Sequence, residues 1–80
     1  MKLEILTPDK KLYSGQIKIV KVPGSDGSFE VLDHHAPIIS TLTKGKIDIT
    51  GMDDKTSQID IKGGVIEVKK NEVIVLADIV

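Results

Sequence analysis

Apolar and polar residues alternate along most of the chain, which is the two-residue period of a half-buried β-strand. Leu3 and Ile5 lie on one side of a first strand, which ends at a turn beginning with Pro8. A second short strand is predicted for residues 10–14, and Gly15 closes it. The start of the chain is therefore predicted as two strands joined by a turn.

The alternation changes phase in the next run, residues 16–22. Ile17 and Ile19 share one side of an extended backbone, whereas Val20 and Val22 share the other. A change of side within one run predicts either a bulge or a strand that is buried on both faces. We therefore expect this strand to be central in its sheet.

The second half of the chain has the same period, with turns at short intervals and no helical pattern. Gly63-Gly64 indicates a kink or a close approach of two backbones, and both strands of the last hairpin are partly apolar on both faces. The predicted strands here are residues 38–42, residues 47–49 paired with 59–61 around a tip at 51–55, and residues 65–68 paired with 73–76. About nine to ten short strands predict an all-β fold, a small antiparallel β-sandwich or flattened barrel, with residues 1–80 as one domain.

One stretch, residues 24–40, departs from the alternation. It opens with a glycine-containing turn at residues 24–27, where glycine supplies positive-φ positions. A short strand is predicted at residues 28–32, and Pro37 then removes a backbone donor before Ile38-Ile39 re-enters a core. Most of the polar identity of the chain lies here, which makes this stretch the candidate functional region.

Charge and composition narrow the classes of partner. Eleven basic and twelve acidic side chains give a net charge of −1, and there is a single Tyr and a single Phe. These values argue against a nucleic acid as partner, because little positive charge or stacking surface is available. No apolar run is long enough for a signal peptide or a membrane span, so a soluble domain is expected. The high aliphatic content favours burial against a protein partner.

Candidate catalytic and metal chemistry is sparse. The adjacent His34 and His35 would point to opposite sides of an extended backbone and could not hold one metal ion together. We expect one of them to be exposed and the other to bond a backbone group. There is no cysteine and no nucleophile or phosphate-loop motif, so neither catalysis nor a cofactor is expected.

Lys55 leaves one alternative function open. It is predicted at an exposed hairpin tip within Asp53-Asp54-Lys55-Thr56. That placement resembles lipoyl carrier domains, all-β modules of this length that present a modified lysine on a hairpin. The flanking Gly51 weakens the likeness.

A longer set of motifs resembles a different family. The 24–40 stretch carries a Val-x-Gly-x-x-Gly pattern followed by His-Ala-Pro and two aliphatic residues, at Val22, Gly24, Gly27 and residues 35–39. A second pattern, Gly-Gly, then Glu-Val, then Val-Leu-Ala-Asp, occurs at Gly63-Gly64, Glu67-Val68 and residues 75–78. Tyr13-Ser14-Gly15 adds an aromatic-x-Gly opening. In this order the motifs resemble the amino-terminal β-sandwich domain of the epsilon subunit of the F-type ATP synthase.

The chain departs from that family pattern at two places. It has Glu30-Val31 and Asp33-His34 where the family commonly has Gly-Ile and Pro-Gly. Family members also usually continue after Ala-Asp into a two-helix hairpin that restrains ATP hydrolysis, whereas this sequence stops at Val80. The resemblance therefore implies a short form without that hairpin.

The resemblance implies a non-catalytic rotor subunit in the central stalk, at the cytoplasmic face of a bacterial inner membrane. Such a subunit is gripped between the gamma subunit and the c-ring and is peripheral to the membrane through the complex. We assign the c-ring contact to Ser25, Asp26, Gly27 and Ser28, the gamma contact to His35, Pro37 and Ile38, and structural turns to Gly24, Gly63 and Gly64. For Ile38, packing in the core is the simpler explanation.

Overall fold

The computed structural model describes residues 1–79, and these form β-strands with no helix. Eight strands follow one another along the chain. They are β1 (Lys2–Leu6), β2 (Lys11–Val22), β3 (Phe29–Leu32), β4 (Ile38–Leu42), β5 (Gly45–Gly51), β6 (Thr56–Ile61), β7 (Gly63–Lys69) and β8 (Glu72–Asp78). The all-β prediction is confirmed, with eight strands rather than nine or ten.

The strands form two layers that share the long strand β2. The first sheet has the order β4-β7-β8-β1-β2, and the second consists of β3, the end of β2, β5 and β6. The two halves of β2 thus belong to different sheets. Near the end of β2, Ser25 N–H donates to the Thr41 carbonyl at 3.0 Å and Thr43 N–H donates to the Pro23 carbonyl at 2.8 Å, which ties the layers together at one edge.

The phase change predicted within β2 is a β-bulge. The register with β5 shifts between Ile17, which faces Gly51, and Ile19, which faces Thr50. The extra residue brings Ile17 and Val20 to the same interior, where they are 1% and 0% exposed. The strand is central, as predicted, because it pairs with β1, β3 and β5.

Gly15 does not divide β2 into two strands, and this accounts for a missing element in the predicted count. Gly15 pairs with Leu3 in the ladder between β1 and β2. The ring of Tyr13 lies beside it, about where a Cβ atom would make ordinary contact at 3.8 Å. An aromatic neighbour of this kind compensates for the missing side chain of a strand glycine.

One pairing departs from the antiparallel pattern. β1 and β8, the first and last strands, run parallel, with Leu3 opposite Val73 and Ile5 opposite Val75. The remaining strand pairs are antiparallel. This parallel pair lies inside the first sheet, with β7 beside β8 and β2 beside β1.

The interior between the layers is apolar and mostly aliphatic. No polar or charged residue is buried among residues 1–79, and the largest fully buried side chains are leucine, isoleucine and valine. Each such side chain stabilises the fold by about 1.5–3 kcal/mol relative to exposure. Because β-branched side chains have few rotamers, a core of this kind is stiff.

Candidate partner-binding surfaces

The outer side of the first sheet carries a connected apolar surface, which we call the apolar face. Thr41, Val65, Leu76 and Leu6 are opposite one another across β4, β7, β8 and β1. The next row along the strands consists of Ile39, Glu67, Ile74 and Glu4 in the same strand order. The apolar face is defined by Leu6, Ile39, Val65, Ile74 and Leu76.

Three side chains of the apolar face are strongly exposed. Ile39 is 74% exposed, Leu76 is 55% exposed and Val65 is 37% exposed. A contiguous group of large aliphatic residues in water is typical of a protein interface. The carboxylates of Glu4 and Glu67 lie in the same row as Ile39 and Ile74, and Glu4 is paired with the Lys11 ammonium at 3.1 Å.

The outer side of the second sheet, which we call the polar face, has a different chemistry. Its residues are mostly charged or polar and are opposite one another across β3, β2, β5 and β6. Lys46 Nζ lies 3.0 Å from Asp60 Oδ1, and Gln58 donates to Asp48 Oδ1 at 2.6 Å. The polar face is defined by Lys21, Glu30, Lys46, Asp48, Gln58 and Asp60.

The residues predicted to contact the c-ring form an exposed turn between β2 and β3. Ser25, Asp26, Gly27 and Ser28 are all exposed. Gly27 N–H donates to the Gly24 carbonyl at 3.0 Å, and Thr41 donates its hydroxyl hydrogen to Ser25 Oγ at 2.9 Å. The turn is therefore held against the end of β4 and presents its polar tip to solvent.

Two of the glycines in the predicted sites are required by their surroundings. Gly24 is buried, and a Cβ there would lie 2.6 Å from the Gly27 carbonyl oxygen, so close approach rather than positive φ requires glycine. Gly64 has φ 151°, and a Cβ there would lie 2.2 Å from the Leu76 carbonyl oxygen. In the turn itself, Gly27 holds the positive φ, at 125°.

The residues predicted to contact gamma lie at the other end of β3. His35 N–H donates to the Leu32 carbonyl at 3.1 Å and closes a turn, and the His35 ring Nδ1 lies 2.7 Å from the Ala36 carbonyl oxygen. His34 is exposed over 82% of its side chain. This is the predicted arrangement of one exposed histidine and one bonded to a backbone group.

Ile38 and Ile39 face opposite sides of β4. Ile38 is half-buried and packs against the core, whereas Ile39 is exposed on the apolar face. Of the two, Ile39 is therefore the one available to a partner. Sequence reasoning did not single out Ile39, Val65 or Leu76 as contact residues, although apolar residues on both sides of the last hairpin were a signal for Val65 and Leu76.

A small polar network fixes the loop between β3 and β4. Asp33 Oδ1 accepts from the Met1 α-ammonium at 3.1 Å and from Asn71 Nδ2 at 3.0 Å. Asn71 Oδ1 accepts from His34 N–H at 2.8 Å. The hydrogen bond from Asn71, aided by the Met1 ammonium, holds the pKa of the Asp33 carboxyl below its ordinary value.

The two predicted contact regions lie at opposite ends of β3. That strand has four residues, Phe29–Leu32, so the Cα atoms at its ends are about 10 Å apart at the usual rise per residue. The turn at residues 24–28 precedes it and the loop at residues 33–37 follows it. The arrangement suits a domain that contacts one partner at each end.

Other sites considered from the sequence have little support. Lys55 lies at the hairpin tip between β5 and β6 and is exposed. No group of three metal-ligating side chains occurs in residues 1–79. Within the same described residues, no helix is long and apolar enough to cross a membrane.

The whole chain matches one protein family. The profile of the family described as "ATP synthase, Delta/Epsilon chain, beta-sandwich domain" matches residues 1–80. This match disfavours the lipoyl carrier alternative for Lys55.

Curated relatives bear the same type of name. An ATP synthase epsilon chain from Leptospira borgpetersenii is 40% identical over 98% of this chain, and this chain spans 61% of that protein. An ATP synthase epsilon chain from Chlorobium limicola is 38% identical over 96% of this chain and is covered over 88% of its length. The chain thus spans about three fifths of the length of some relatives and most of the length of others.

Solved structures show a similar fold. A chain in the Euglena gracilis mitochondrial ATP synthase structure, which contains OSCP, F1 and the c-ring, superposes with a TM-score of 0.88 at 19% identity. It matches 94% of this chain and 48% of its own length. A chain in the Tetrahymena thermophila central stalk and c-ring structure has a TM-score of 0.82 at 13% identity, over 98% of this chain and 63% of its own.

Proposed function

Because the chain belongs to the β-sandwich family of ATP synthase delta and epsilon chains, we propose that it is a non-catalytic subunit of the central stalk of an F-type ATP synthase. In this role it links the gamma subunit to the c-ring and rotates with them, so that proton flow is coupled to ATP synthesis. Its bacterial relatives favour a position at the cytoplasmic face of the inner membrane, bound through the complex rather than inserted.

The apolar face is the observation that carries this proposal. A rotor part needs a permanent neighbour on one surface, and permanent interfaces are more apolar than ordinary protein surfaces. Ile39, Val65 and Leu76 supply such a surface, whereas on the polar face Lys46 pairs with Asp60 and Gln58 bonds Asp48. The stiff aliphatic core fits a part that transmits torque without deforming.

The two partners are assigned to different surfaces. The gamma subunit binds the apolar face together with the adjoining loop residues His35 and Pro37, with Ile38 supporting them from the core side. The c-ring contacts the exposed turn of Ser25, Asp26, Gly27 and Ser28. Pro37 lies two residues before Ile39 in the chain and both are exposed, which supports assigning the loop and the apolar face to one partner.

Co-purification tests the function as a whole. The 80-residue chain carrying an affinity tag at its carboxyl end is expressed in cells together with the gamma and c subunits of one bacterial ATP synthase. Gamma and the c-ring should be recovered with it, and mass analysis identifies them. Recovery of the chain without gamma, under conditions in which gamma and the c-ring assemble, would contradict the proposal.

Cross-linking tests the two contact assignments separately. The chain has no cysteine, so a single introduced cysteine reports on one position only. In the assembled complex, Ser28→Cys should cross-link to the c subunit and Pro37→Cys to gamma. Asp53→Cys, at the exposed hairpin tip between β5 and β6, is the control and should give neither product.

A further inference from the structure

We propose that Asp33 and Asn71 form a clasp that holds His34 in a left-handed backbone conformation and thereby positions the His35–Pro37 loop for the gamma subunit. The partner in this inference rests on the proposed function, whereas the clasp itself rests on geometry alone. Asp33 and Asn71 act as positioning residues, since neither has to touch the partner.

The conformation of His34 is the observation that requires an explanation. Its φ is 62°, in the region where an L-residue other than glycine is disfavoured. Glycine would adopt such a φ without a steric penalty, but this position holds histidine. In this chain the surroundings must therefore stabilise what the residue itself disfavours.

Asn71 supplies that stabilisation from a distant part of the chain. Its Oδ1 accepts from His34 N–H at 2.8 Å, and its Nδ2 donates to Asp33 Oδ1 at 3.0 Å. One amide group thus bonds the backbone of His34 and the side chain immediately before it. Asn71 itself has φ 61°, a conformation that asparagine tolerates better than most residues.

The clasp also connects the loop to the start of the chain. Asp33 Oδ1 accepts from the Met1 α-ammonium at 3.1 Å, and the same ammonium donates to the Ile17 carbonyl at 3.2 Å. The carboxylate is therefore anchored through Met1, which precedes β1 and is bonded to β2, as well as from the turn between β7 and β8. His34 is therefore held in two ways: its own N–H is bonded to Asn71, and the residue before it, Asp33, is fixed by its side chain.

The conformation of His34 decides where the following residues lie. The turn closed by His35 N–H and the Leu32 carbonyl depends on it, and that turn aims the chain through Ala36 into Pro37. Without the clasp, His34 would be free to adopt the more favourable right-handed or extended conformations. The loop conformation proposed to bind gamma would then be only one of several in the free chain, and the apparent affinity would fall with its population.

A double-mutant cycle tests the clasp in the complete chain. Asn71→Gly keeps a residue that tolerates positive φ but removes the amide group. Lys70→Gly is the matched control, because Lys70 has φ 52° in the same turn and its side chain makes no hydrogen bond within residues 1–79. Each is made in the natural sequence and in a His34→Gly background, where the left-handed conformation no longer needs support.

Two readouts are measured for each variant. In the free chain, Asn71→Gly should speed hydrogen exchange of the residue-34 amide by about two- to tenfold, the usual effect of one hydrogen bond. In the natural background it should also weaken gamma binding by up to about tenfold. In the His34→Gly background its effect on gamma binding should fall below about twofold, since glycine restores the loop.

The outcomes separate this inference from the proposed function. Equal amide exchange in the natural chain and Asn71→Gly would overturn the clasp, whether or not gamma binds. Faster exchange with undiminished gamma binding would overturn the positioning role. Failure of the natural chain to bind gamma would overturn the proposed function and the positioning role together, while the exchange measurement would still decide the clasp.

Discussion

The apolar face and the polar face are the two outer sides of one sandwich, and both are made of strand residues that alternate with buried ones. On the polar face, charged residues meet partners of opposite charge, as at Lys46 and Asp60. On the apolar face, Ile39, Val65 and Leu76 meet water. Exposed aliphatic side chains are disfavoured in water, so the apolar face is the side that needs a neighbour.

The typical free energies of the two kinds of contact support the difference between the faces. An exposed ion pair such as Lys46 with Asp60 contributes between about 0 and 1 kcal/mol, since water screens it. Burying one large aliphatic side chain contributes about 1.5–3 kcal/mol before the costs of association. We therefore expect the energy of partner binding to come mainly from the apolar face, and the polar face to contribute mainly solubility.

The largest expected effect on stability comes from the pairing of β7 with β8, two of the strands that form the apolar face. Gly64→Ala should lower the free energy of unfolding by about 3 kcal/mol, because φ is 151° and the new Cβ would lie 2.2 Å from the Leu76 carbonyl oxygen. Urea unfolding measures it. Gly15→Ala, where the nearest atom is 3.8 Å away, is the matched control and should change stability little. A similar loss of stability for both substitutions would argue against a close approach of the β7 and β8 backbones at Gly64.

A charge placed on each face tests the comparison directly. Leu76→Glu should weaken gamma binding by about 10- to 100-fold, since a carboxylate would be buried in an apolar interface. The side chain is 55% exposed, so the chain should remain folded. Thr56→Glu adds the same charge on the exposed outer side of β6 and should alter binding by less than about twofold. Calorimetry measures the affinity of each variant for gamma. Equal losses of affinity for both variants would contradict the proposed difference between the faces.

Removing an ion pair from the polar face should have a small effect. Lys46→Ala breaks the contact with Asp60, whose side chain is 80% exposed, and should change the free energy of unfolding by less than about 0.5 kcal/mol. The change should shrink further in high salt. Urea unfolding at two salt concentrations measures it, and gamma binding should be unaffected. A large or salt-independent loss would show that this face does more than keep the protein in solution.

Acid should release the loop that borders the apolar face. The folded pKa of Asp33 lies below its ordinary value of 3.8, so its stabilising contribution is present above that value and is lost as the pH falls through the folded pKa. Asp33→Asn should remove this part of the acid dependence. The effect is small because Asp33 is exposed, and unfolding between about pH 5 and pH 2 measures it. An unchanged acid profile would mean that the network around Asp33 has no stabilising role.

Much of the strand structure was determined by the sequence alone. The alternation around Ile47 and Ile49 predicted a hairpin with residues 59–61, and Ile47 is indeed paired with Ile59. The change of side among Ile17, Ile19 and Val20 predicted a bulge or a doubly buried strand, and β2 has a bulge there, although it separates Ile17 from Ile19 rather than Ile19 from Val20. These features depend on neighbours two or three residues away, so a local pattern is enough to predict them.

The hydrogen bonds that hold the loop between β3 and β4 join residues far apart in the chain, so no local sequence pattern predicts them. Asp33 and Asn71 are far apart in the chain, and only the meeting of the β7–β8 turn with the β3–β4 loop brings them together. The left-handed His34 was equally hidden, because its supporting amide comes from another strand pair. Sequence reasoning therefore found the loop but not what holds it.

The choice of apolar face was decided by the tertiary structure. The sequence determined that Val65 and Leu76 lie opposite the buried residues of their strands, since the side of a strand follows from position alone. It could not determine that β8 would lie between β7 and β1, with Leu6 beside Leu76. Strand order is set by long-range ladders that bury the whole interior at once. Only that assembly joins scattered aliphatic residues into one surface for a partner.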